Sequence, residues 1–434
     1  MRAPPRQRAA MAVLRKGTPM KKNTGLTRGM AALFAIACGV IVANVYYAQP
    51  LLATIAAAFG RPVSDLGYLV TLTQLGYAAG FVLIVPLGDV VDRRALVLRL
   101  LAVNVAALGI IVFSPNYLVF AAGCMLVGFT SCSTQILIPM AASLADPASR
   151  GRAVGVVMSG LLLGVLLARI VAGYVAYWAG WRAIFAIAIG ASVAIAVVLA
   201  MVLPRNTQPL THITHITPVT PVTPVRYARL LASLAQLMRH EPLLVLRSVY
   251  GALAFACFSV VWTGLTFVLS RAPYGYDDAQ IGLFGIVGVI GALAAHPAGR
   301  LVDLGHENKA TGAFAATLLI SFALLAGGGA SLPLLIVGTL LLDVGVQGLH
   351  IANQSVIFEI DATARSRIMT AYLASYFLGG ALGSSAAGAA YAAEGWLGVC
   401  AAGGALAGTA LLVWIGAQSV GKSRLAGQST ASRK

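Results

Sequence analysis

The feature that most constrains this chain is a series of long apolar runs separated by short polar segments. Hydrophobic residues make up 59% of the 434 residues and charged residues only 10%, whereas soluble domains carry about 25% charged residues. A water-soluble fold could not bury this much apolar surface, so lipid must be the solvent for most of the chain. We therefore predict an integral membrane protein without a sizeable soluble domain.

The apolar runs have the length of membrane-spanning helices. A helix needs about 20 mostly apolar residues to cross the hydrocarbon core, and the uninterrupted runs differ from barrel strands, which alternate over about ten residues. We predict an all-α protein with twelve spans: Gly29–Leu52, Leu66–Gly88, Ala95–Ser114, Tyr117–Ala142, Ala153–Trp178, Ala183–Leu203, Val245–Leu269, Ile281–Leu301, Thr311–Gly329, Leu332–Ile357, Ile368–Tyr391 and Gly395–Ile415.

A polar linker divides the spans into two groups of six. It contains a Thr/Pro repeat, Thr211–Val225, and prolines at this density disfavour both helix and strand, so we predict an extended segment. The predicted domains are a basic tail (1–28), an N-terminal half (29–203), the linker (204–244), a C-terminal half (245–415) and a C-terminal tail (416–434).

The basic residues of the chain predict its orientation. The formal charge is +17, but the basic residues are scattered singly through loops and ends, so we expect no nucleic-acid partner. If the N-terminus is inside, 26 of the 30 Lys and Arg residues lie on the inner side, three on the outer side and one, Arg169, within a span. This asymmetry predicts that both chain ends are cytoplasmic.

An internal repeat relates the two groups of spans. The segment Asp146–Arg152 parallels Asp361–Arg367 at an offset of 215 residues, and Pro86–Asp92 parallels Pro297–Asp303 at an offset of 211. The same offset of 215 places Arg169 opposite Ser384. Two related halves in the same orientation imply a pseudo-twofold axis along the membrane normal, with a cavity between them whose opening alternates.

The stretch Gly88–Arg94 after span 2 resembles the signature loop of the major facilitator superfamily, with a partial copy in the second half. Asn44–Pro50 and the arginine of span 5 resemble the bacterial twelve-span drug and metabolite proton antiporters. Cys124 stands where such exporters often carry an arginine, and Gly160–Gly164 lacks their proline, departures that weaken antiport more than transport.

The resemblance implies two pseudo-symmetric six-helix bundles that work by alternating access. It further implies a small-molecule substrate, a monomer in the bacterial inner membrane, and no cofactor, with the proton gradient as the energy source. It also implies that loops at the inner ends of the spans act as gates. The gate residues by this resemblance are Gly88, Asp92, Arg93, Arg150, Gly299, Asp303 and Arg365.

Polar residues near the centres of spans are the candidate functional groups, because a charge at mid-bilayer costs about 2.5–3.5 kcal/mol on insertion scales. Asp343 lies near the centre of span 10, and Gln347, His350 and Gln354 follow it on one helical stripe. We predict that Asp343 carries the coupled proton, assisted by His350, and that Arg169 neutralises a substrate group or pairs with Asp343. A polar cluster that only packs helices is the alternative.

Further polar and aromatic side chains could line a central cavity, although aromatic residues also serve packing. The candidates are Asn44, Tyr47 and Gln49 in span 1, Gln74 in span 2, Gln135 in span 4, Trp262 in span 7, and Gln347 and Gln354 in span 10.

Other classes of membrane protein are poorly supported. The sequence has no Walker loop, no cluster of acids for metal–phosphate chemistry, and no metal-ligand spacing of His or Cys, so we expect no enzymatic activity and no metal site. We predict a secondary active transporter, with proton-coupled efflux of drug-like compounds or metabolites. Proton-coupled or facilitated uptake of a metabolite and a solute-sensing receptor on a transporter fold are the alternatives.

Overall fold

The computed structural model describes residues 26–146, 149–204, 224–294, 306–361 and 364–431. We number the helices α1 to α12 after the predicted spans and call the side on which α1 begins the inner side. The N-terminal half contains α1 (Arg28–Tyr46, continued by Gln49–Leu51 and Leu52–Ala58), α2 (Gly67–Leu83), α3 (Arg93–Val112), α4 (Tyr117–Ser131, continued by Thr134–Leu144), α5 (Arg150–Ala179) and α6 (Trp181–Val202).

The C-terminal half repeats this arrangement after a linker helix. It contains the linker helix (Pro224–His240), α7 (Pro242–Leu269), α8 (Asp278–Leu283 and Gly285–Ala294), α9 (Glu307–Gly327), α10 (Leu332–Ile360) and a last helical segment, Arg365–Ala431. The last segment is non-helical at Glu394 and Gly395, where Gly395 has a φ of +59° that glycine adopts without steric cost. It therefore forms two helices, α11 (365–393) and α12 (396–431).

The number of spanning helices agrees with the sequence pattern. In the described part of the chain, ten helical segments are long and apolar enough to cross a membrane, and one of them, Arg365–Ser419, contains both α11 and α12. The shorter apolar segment Asp278–Gly291 belongs to α8. The predicted all-helical fold with twelve spans is confirmed.

The linker departs from the prediction in its second half. The expectation of an extended chain was wrong over Pro224–His240, which is helical. The run of prolines ends at Pro224, the first helical residue, where the missing N–H costs no hydrogen bond. The Tyr227 hydroxyl of this helix donates to the carbonyl of Leu83 at the inner end of α2. Linker residues 205–223, with most of the Thr/Pro repeat, lie outside the described residues.

Helix packing within the two halves follows the sequence repeat. Gly76 of α2 packs so closely on the backbone carbonyl of Met125 in α4 that a Cβ atom would collide with it. At the offset of 215, Gly291 of α8 packs on the carbonyl of Leu340 in α10, which a Cβ would approach to 2.9 Å. Small residues that allow this approach are typical of helix contacts in membranes. The halves are therefore related in three dimensions by the repeat.

The contacts between the halves follow the same offset. Gly282 of α8 packs on the carbonyl of Arg169 in α5, and Gly67 of α2 packs on the carbonyl of Ser384 in α11. The two interhelical contacts are equivalent, so Ser384 is the structural counterpart of Arg169, as the repeat predicts. Pseudo-symmetry does not account for the arginine.

The close α2–α4 contact generates a prediction about stability. The substitution Gly76→Ala should lower the free energy of unfolding by about 1–3 kcal/mol, because the added methyl group forces the two backbones apart. Thermal unfolding of the purified protein in detergent measures this effect. Gly190→Ala in α6 is the control, since no atom outside its own helix lies within 4 Å of a Cβ there. Equal losses in both variants would contradict the packing.

Candidate functional site

A break in α1 positions the first residue of the site. Pro50 has no backbone N–H, and its ring clashes with the carbonyl four residues earlier, so the regular helix ends at Tyr46 and continues as a short 3-10 turn, Gln49–Leu51. In this turn the buried Gln49 side chain accepts two hydrogen bonds from Arg169, at 3.2 Å from Nε and 2.8 Å from Nη2. The Gln49 carbonyl accepts a third bond from the Thr266 hydroxyl of α7 at 2.8 Å.

The Arg169 side chain lies in a cage of three aromatic rings. Its Cζ atom is 4.2 Å from the ring centroid of Trp262, 4.9 Å from that of Tyr46 and 5.8 Å from that of Phe258. Cation–π contacts of this kind can contribute about 2 kcal/mol when the groups are desolvated. Arg169 is only 5% exposed, so its side chain does not extend to the outer membrane interface but stays between α1 and α7.

Asp343 of α10 lies on the other side of Trp262. The indole N–H of Trp262 donates to Oδ1 of Asp343 at 3.3 Å, whereas Oδ2 is buried and has no hydrogen-bond partner among the described residues. Gly288 of α8 faces this carboxylate, since a Cβ atom there would lie 3.1 Å from Oδ2 and 2.7 Å from the Trp262 ring. A larger residue at position 288 would displace one of the two side chains.

The repeat explains how an acid fits at this point. In the N-terminal half, Gly128 of α4 packs on the backbone of Thr73 in α2. The positions 215 residues later are Asp343 and Gly288, so the small residue has moved from one helix to the other. Sequence analysis did not single out Gly288, although applying the offset to Thr73 would have found it.

Trp262 links opposite charges from the two halves. Its ring faces the guanidinium of Arg169 from the N-terminal half, and its N–H bonds the carboxylate of Asp343 from the C-terminal half. Among the described residues, the pair Arg61–Asp65 has nitrogen and oxygen atoms within 4.0 Å, whereas Arg169 and Asp343 form no such direct ion pair. Both groups therefore retain unused capacity for charge-assisted hydrogen bonds.

The polar stripe of α10 divides into two groups. His350 lies within 2.9 Å of the Tyr372 hydroxyl through Nδ1 and 2.9 Å of the Gln354 amide nitrogen through Nε2. Its ring also lies 4.7 Å from that of Tyr376 in α11. The structure therefore brings His350 and Gln354 together against α11, apart from Asp343, while Gln347 is half-buried between them.

The predicted cavity residues of α1 separate in the structure. Gln49 joins Arg169, as described above. The Asn44 amide donates to Oδ1 of Asn104 at 3.0 Å and to the Ser192 hydroxyl at 3.4 Å, so it faces α3 and α6 inside the N-terminal bundle. Tyr47 is half-buried with its ring edge-on to Phe185, 6.4 Å between centroids.

The candidates in α2 and α4 have different surroundings. Gln74 is buried, and its side-chain oxygen has no partner among the described residues. It lies on the face of α2 that also carries Thr71 and Tyr77, one turn away on either side, and both contact α11. Gln135 is half-buried near the start of the second part of α4.

Aromatic rings connect the site to the opposite half on the inner side. Phe258 stacks on Phe255 at 5.3 Å, and Phe255 stacks on Tyr376 at 4.1 Å. Phe377 of α11 then contacts Tyr77 of α2 at 4.3 Å. We call these five residues the inner aromatic stack. Sequence analysis missed it, because its members come from three helices with no common spacing.

A polar contact closes the outer side. The Thr54 hydroxyl, at the outer end of α1, lies 2.7 and 2.6 Å from the two carboxylate oxygens of Asp278, the first residue of α8. The halves therefore contact each other on both sides of the Arg169–Trp262–Asp343 centre. Passage of a solute requires these two sets of contacts to separate in turn.

The predicted gate residues lie at the inner ends of helices. Nε of Arg93 donates to the carbonyl of Gly88 at 2.8 Å, and Asp92 caps α3 by accepting from the backbone N–H of Arg94 at 3.1 Å. These bonds fix the loop between α2 and α3.

The other gate candidates are less connected. Nε of Arg365 donates to the carbonyl of Phe358 at 3.1 Å, and Arg150 is exposed at the first residue of α5. Gly299 and Asp303 lie outside the described residues.

Comparison with known proteins decides the family. The model of the Major Facilitator Superfamily matches residues 33–360. The chain belongs to this superfamily. As a member of the Major Facilitator Superfamily, it is a multi-pass membrane protein that transports a small solute, and the resemblance of its Gly88–Arg94 loop is confirmed.

Similar proteins support the assignment along the whole chain. The uncharacterized transporter YgaY of Escherichia coli O157:H7 is 42% identical over 394 residues, 91% of this chain and 97% of YgaY. The transporter SCO4007 of Streptomyces coelicolor is 32% identical over 84% of this chain and 82% of its own. The crystal structure of the nucleoside transporter NupG, a D323A mutant, has the same fold, with a TM-score of 0.70 at 12% identity, covering 89% of this chain and 98% of NupG.

The contacts of Trp262 generate a prediction for this superfamily member. The substitution Trp262→Phe keeps an aromatic ring near Arg169 but removes the only donor to the Asp343 carboxylate among the described residues. We expect a loss of about 1–3 kcal/mol in the free energy of unfolding, measured by thermal unfolding in detergent. Trp178→Phe is the control, because Trp178 is 80% exposed. A loss no larger than that of the control would show that the bond to Asp343 contributes nothing.

Proposed function

We propose that this protein is a proton-coupled secondary transporter in which Asp343 carries the proton and Arg169 responds to its charge. One observation supports the proposal above the others: Trp262 holds a buried carboxylate of one half and a buried guanidinium of the other half at the point where the halves meet. A change of charge at Asp343 alters the electrostatic balance between the halves, and alternating access is a movement between the halves.

The surroundings of Asp343 suit a group that gains and loses a proton. Its side chain is 2% exposed, and one carboxylate oxygen has no donor among the described residues. Burial in a low-dielectric interior penalises the ionised form of a carboxylate, and a nearby positive charge opposes that penalty. Arg169 supplies this charge without forming a direct bond, so small movements of the arginine change the proton affinity of Asp343.

His350 has a different place in the proposal. Its nitrogens are engaged by Tyr372 and Gln354, and its ring packs on Tyr376 of the inner aromatic stack. It therefore acts at the inner closure of the two halves rather than on Asp343 itself. A proton that leaves Asp343 toward the inner side passes this group.

The membrane and the orientation belong to the proposal too. The excess of Lys and Arg on the inner side favours cytoplasmic chain ends, and the relatives YgaY and SCO4007 are bacterial. We therefore propose the bacterial inner membrane as the location. A monomeric state stays a prediction.

The direction of transport depends on how solute and proton share the site. A solute that competes with the proton is exported against an inward proton gradient, which is the efflux predicted from the resemblance to antiporters. A solute that binds together with the proton is accumulated inside, as in the alternative of metabolite uptake. Counterflow in proteoliposomes, with cationic drugs, sugars and organic acids as the panel, identifies a transported solute. A receptor would give no counterflow with any of them.

The proposal predicts that Asp343→Asn separates coupling from exchange. In proteoliposomes with an imposed gradient of one pH unit, the wild-type protein should accumulate the solute identified by counterflow up to about tenfold, the limit for one coupled proton. Asp343→Asn should equilibrate the solute without accumulating it, and should retain counterflow, because exchange requires no net proton movement.

The matched control is Asp65→Asn, which removes an exposed carboxylate paired with Arg61 near the outer end of α2. This variant should accumulate the solute as the wild-type protein does. Undiminished accumulation by Asp343→Asn would rule out Asp343 as the proton carrier.

A further inference from the structure

We propose that the solute is an organic monoanion with a flat apolar body, whose anionic group replaces the Asp343 carboxylate as the counter-charge of Arg169 when Asp343 takes up its proton. This inference rests on the proposed function and names the substrate class of the same site. It follows from the hydrogen-bonding capacity, the charge and the shape of the groups around Trp262.

Arg169 has donors to spare. A guanidinium carries five N–H groups, and three of them are engaged: those of Nε and Nη2 by Gln49, and one of Nη1 by the Val165 carbonyl at the long distance of 3.5 Å. The remaining two have no protein acceptor among the described residues. An arginine recognises a planar anionic group through donors of this kind, with charge-assisted bonds that are stronger than neutral ones.

The charge of the site depends on Asp343. With Asp343 ionised, its negative charge balances that of Arg169, which stays protonated at all physiological pH values. With Asp343 protonated, the buried arginine has no counter-charge among the described residues, because no other acid lies beside it. The site then attracts an anion, whereas a cationic solute would meet an unbalanced positive charge in a low-dielectric interior.

The apolar part of the site favours a flat body. Tyr46, Phe258 and Trp262 surround Arg169, and Phe255 continues the rings toward the inner side. Aromatic faces pack well against planar apolar groups. An aromatic carboxylate satisfies both parts of the site, with its anionic group on Arg169 and its ring among these side chains.

Binding of such an anion depends on pH with a defined sign. The charged and titratable groups that face Asp343 are Arg169 of α5, Tyr46 of α1 near that arginine, and Tyr376 of α11. Of the other contacts, Trp262 in α7 and the glycines of α8 do not titrate. The anion therefore binds more tightly as the pH falls through the titration of Asp343, by at most about tenfold per pH unit for one proton.

Co-binding has a consequence for the direction of transport. Anion and proton occupy the same state of the protein, so they cross together and without net charge. The carrier is then a symporter of an organic acid, and this replaces the antiport expected from the resemblance. An acid produced in the cell leaves by the same route when its inner concentration is high enough.

A matched series of ligands tests the charge preference without any pH gradient. Thermal unfolding of the purified full chain in detergent is measured with benzoate, benzamide and benzamidine, and with the three corresponding naphthalene compounds. We expect saturable stabilisation by the carboxylates and at least tenfold weaker binding of the amides and amidines. Stabilisation by the amidines, equal effects of all three groups, or no effect of any compound would overturn the proposal.

Variants locate the effect. Arg169→Gln and the more conservative Arg169→Lys should both weaken carboxylate binding at least tenfold. Arg182→Gln should leave it unchanged, because Arg182 stacks on Trp181 at the same 4.2 Å but bonds loop carbonyls at the outer end of α6. Equal weakening in Arg182→Gln would overturn the assignment. Asp343→Asn should bind carboxylates with an affinity that no longer depends on pH. Since none of these measurements involves transport, a failure of proton coupling would leave them intact.

Discussion

The structure depends on the cost of placing two opposite charges in a low-dielectric interior without letting them neutralise each other directly. Arg169 and Asp343 are both buried, and each is bound to Trp262 in a different way, through the ring face and through the indole N–H. Gln49 and the break at Pro50 hold the arginine. The charges are therefore close enough to influence each other and still free to bind something else.

Glycines make this arrangement possible. The acid fits because α8 carries Gly288 where α2 carries Thr73, and because α4 has Gly128 where α10 has Asp343. The exchange of small and large residues keeps the interhelical contacts of the two halves equivalent while placing a charge in only one of them. The asymmetry of the site is thus built on a symmetric framework, which is the situation expected when a duplicated bundle acquires a function.

Much of the fold and part of the site could be predicted from the sequence. Twelve spans follow from apolar length, and the offset of 215 residues pairs Gly76 with Gly291 correctly. Arg169, Asp343, Gln49 and Trp262 were selected individually because polar groups at mid-bilayer are costly. Their meeting point could not be predicted, since the rotation of each helix is set by packing. For the same reason Asn44 faces its own bundle, and His350 binds α11 rather than assisting Asp343.

The most direct test is whether Asp343 changes its protonation when solute binds. Infrared difference spectroscopy of the reconstituted protein, recorded with and without the solute identified by counterflow, reports the C=O stretch of protonated carboxyl groups. The account predicts that this band grows on solute binding in the wild-type protein and is absent from the difference spectrum of Asp343→Asn. A spectrum without the band, or a band that persists in the variant, would contradict it.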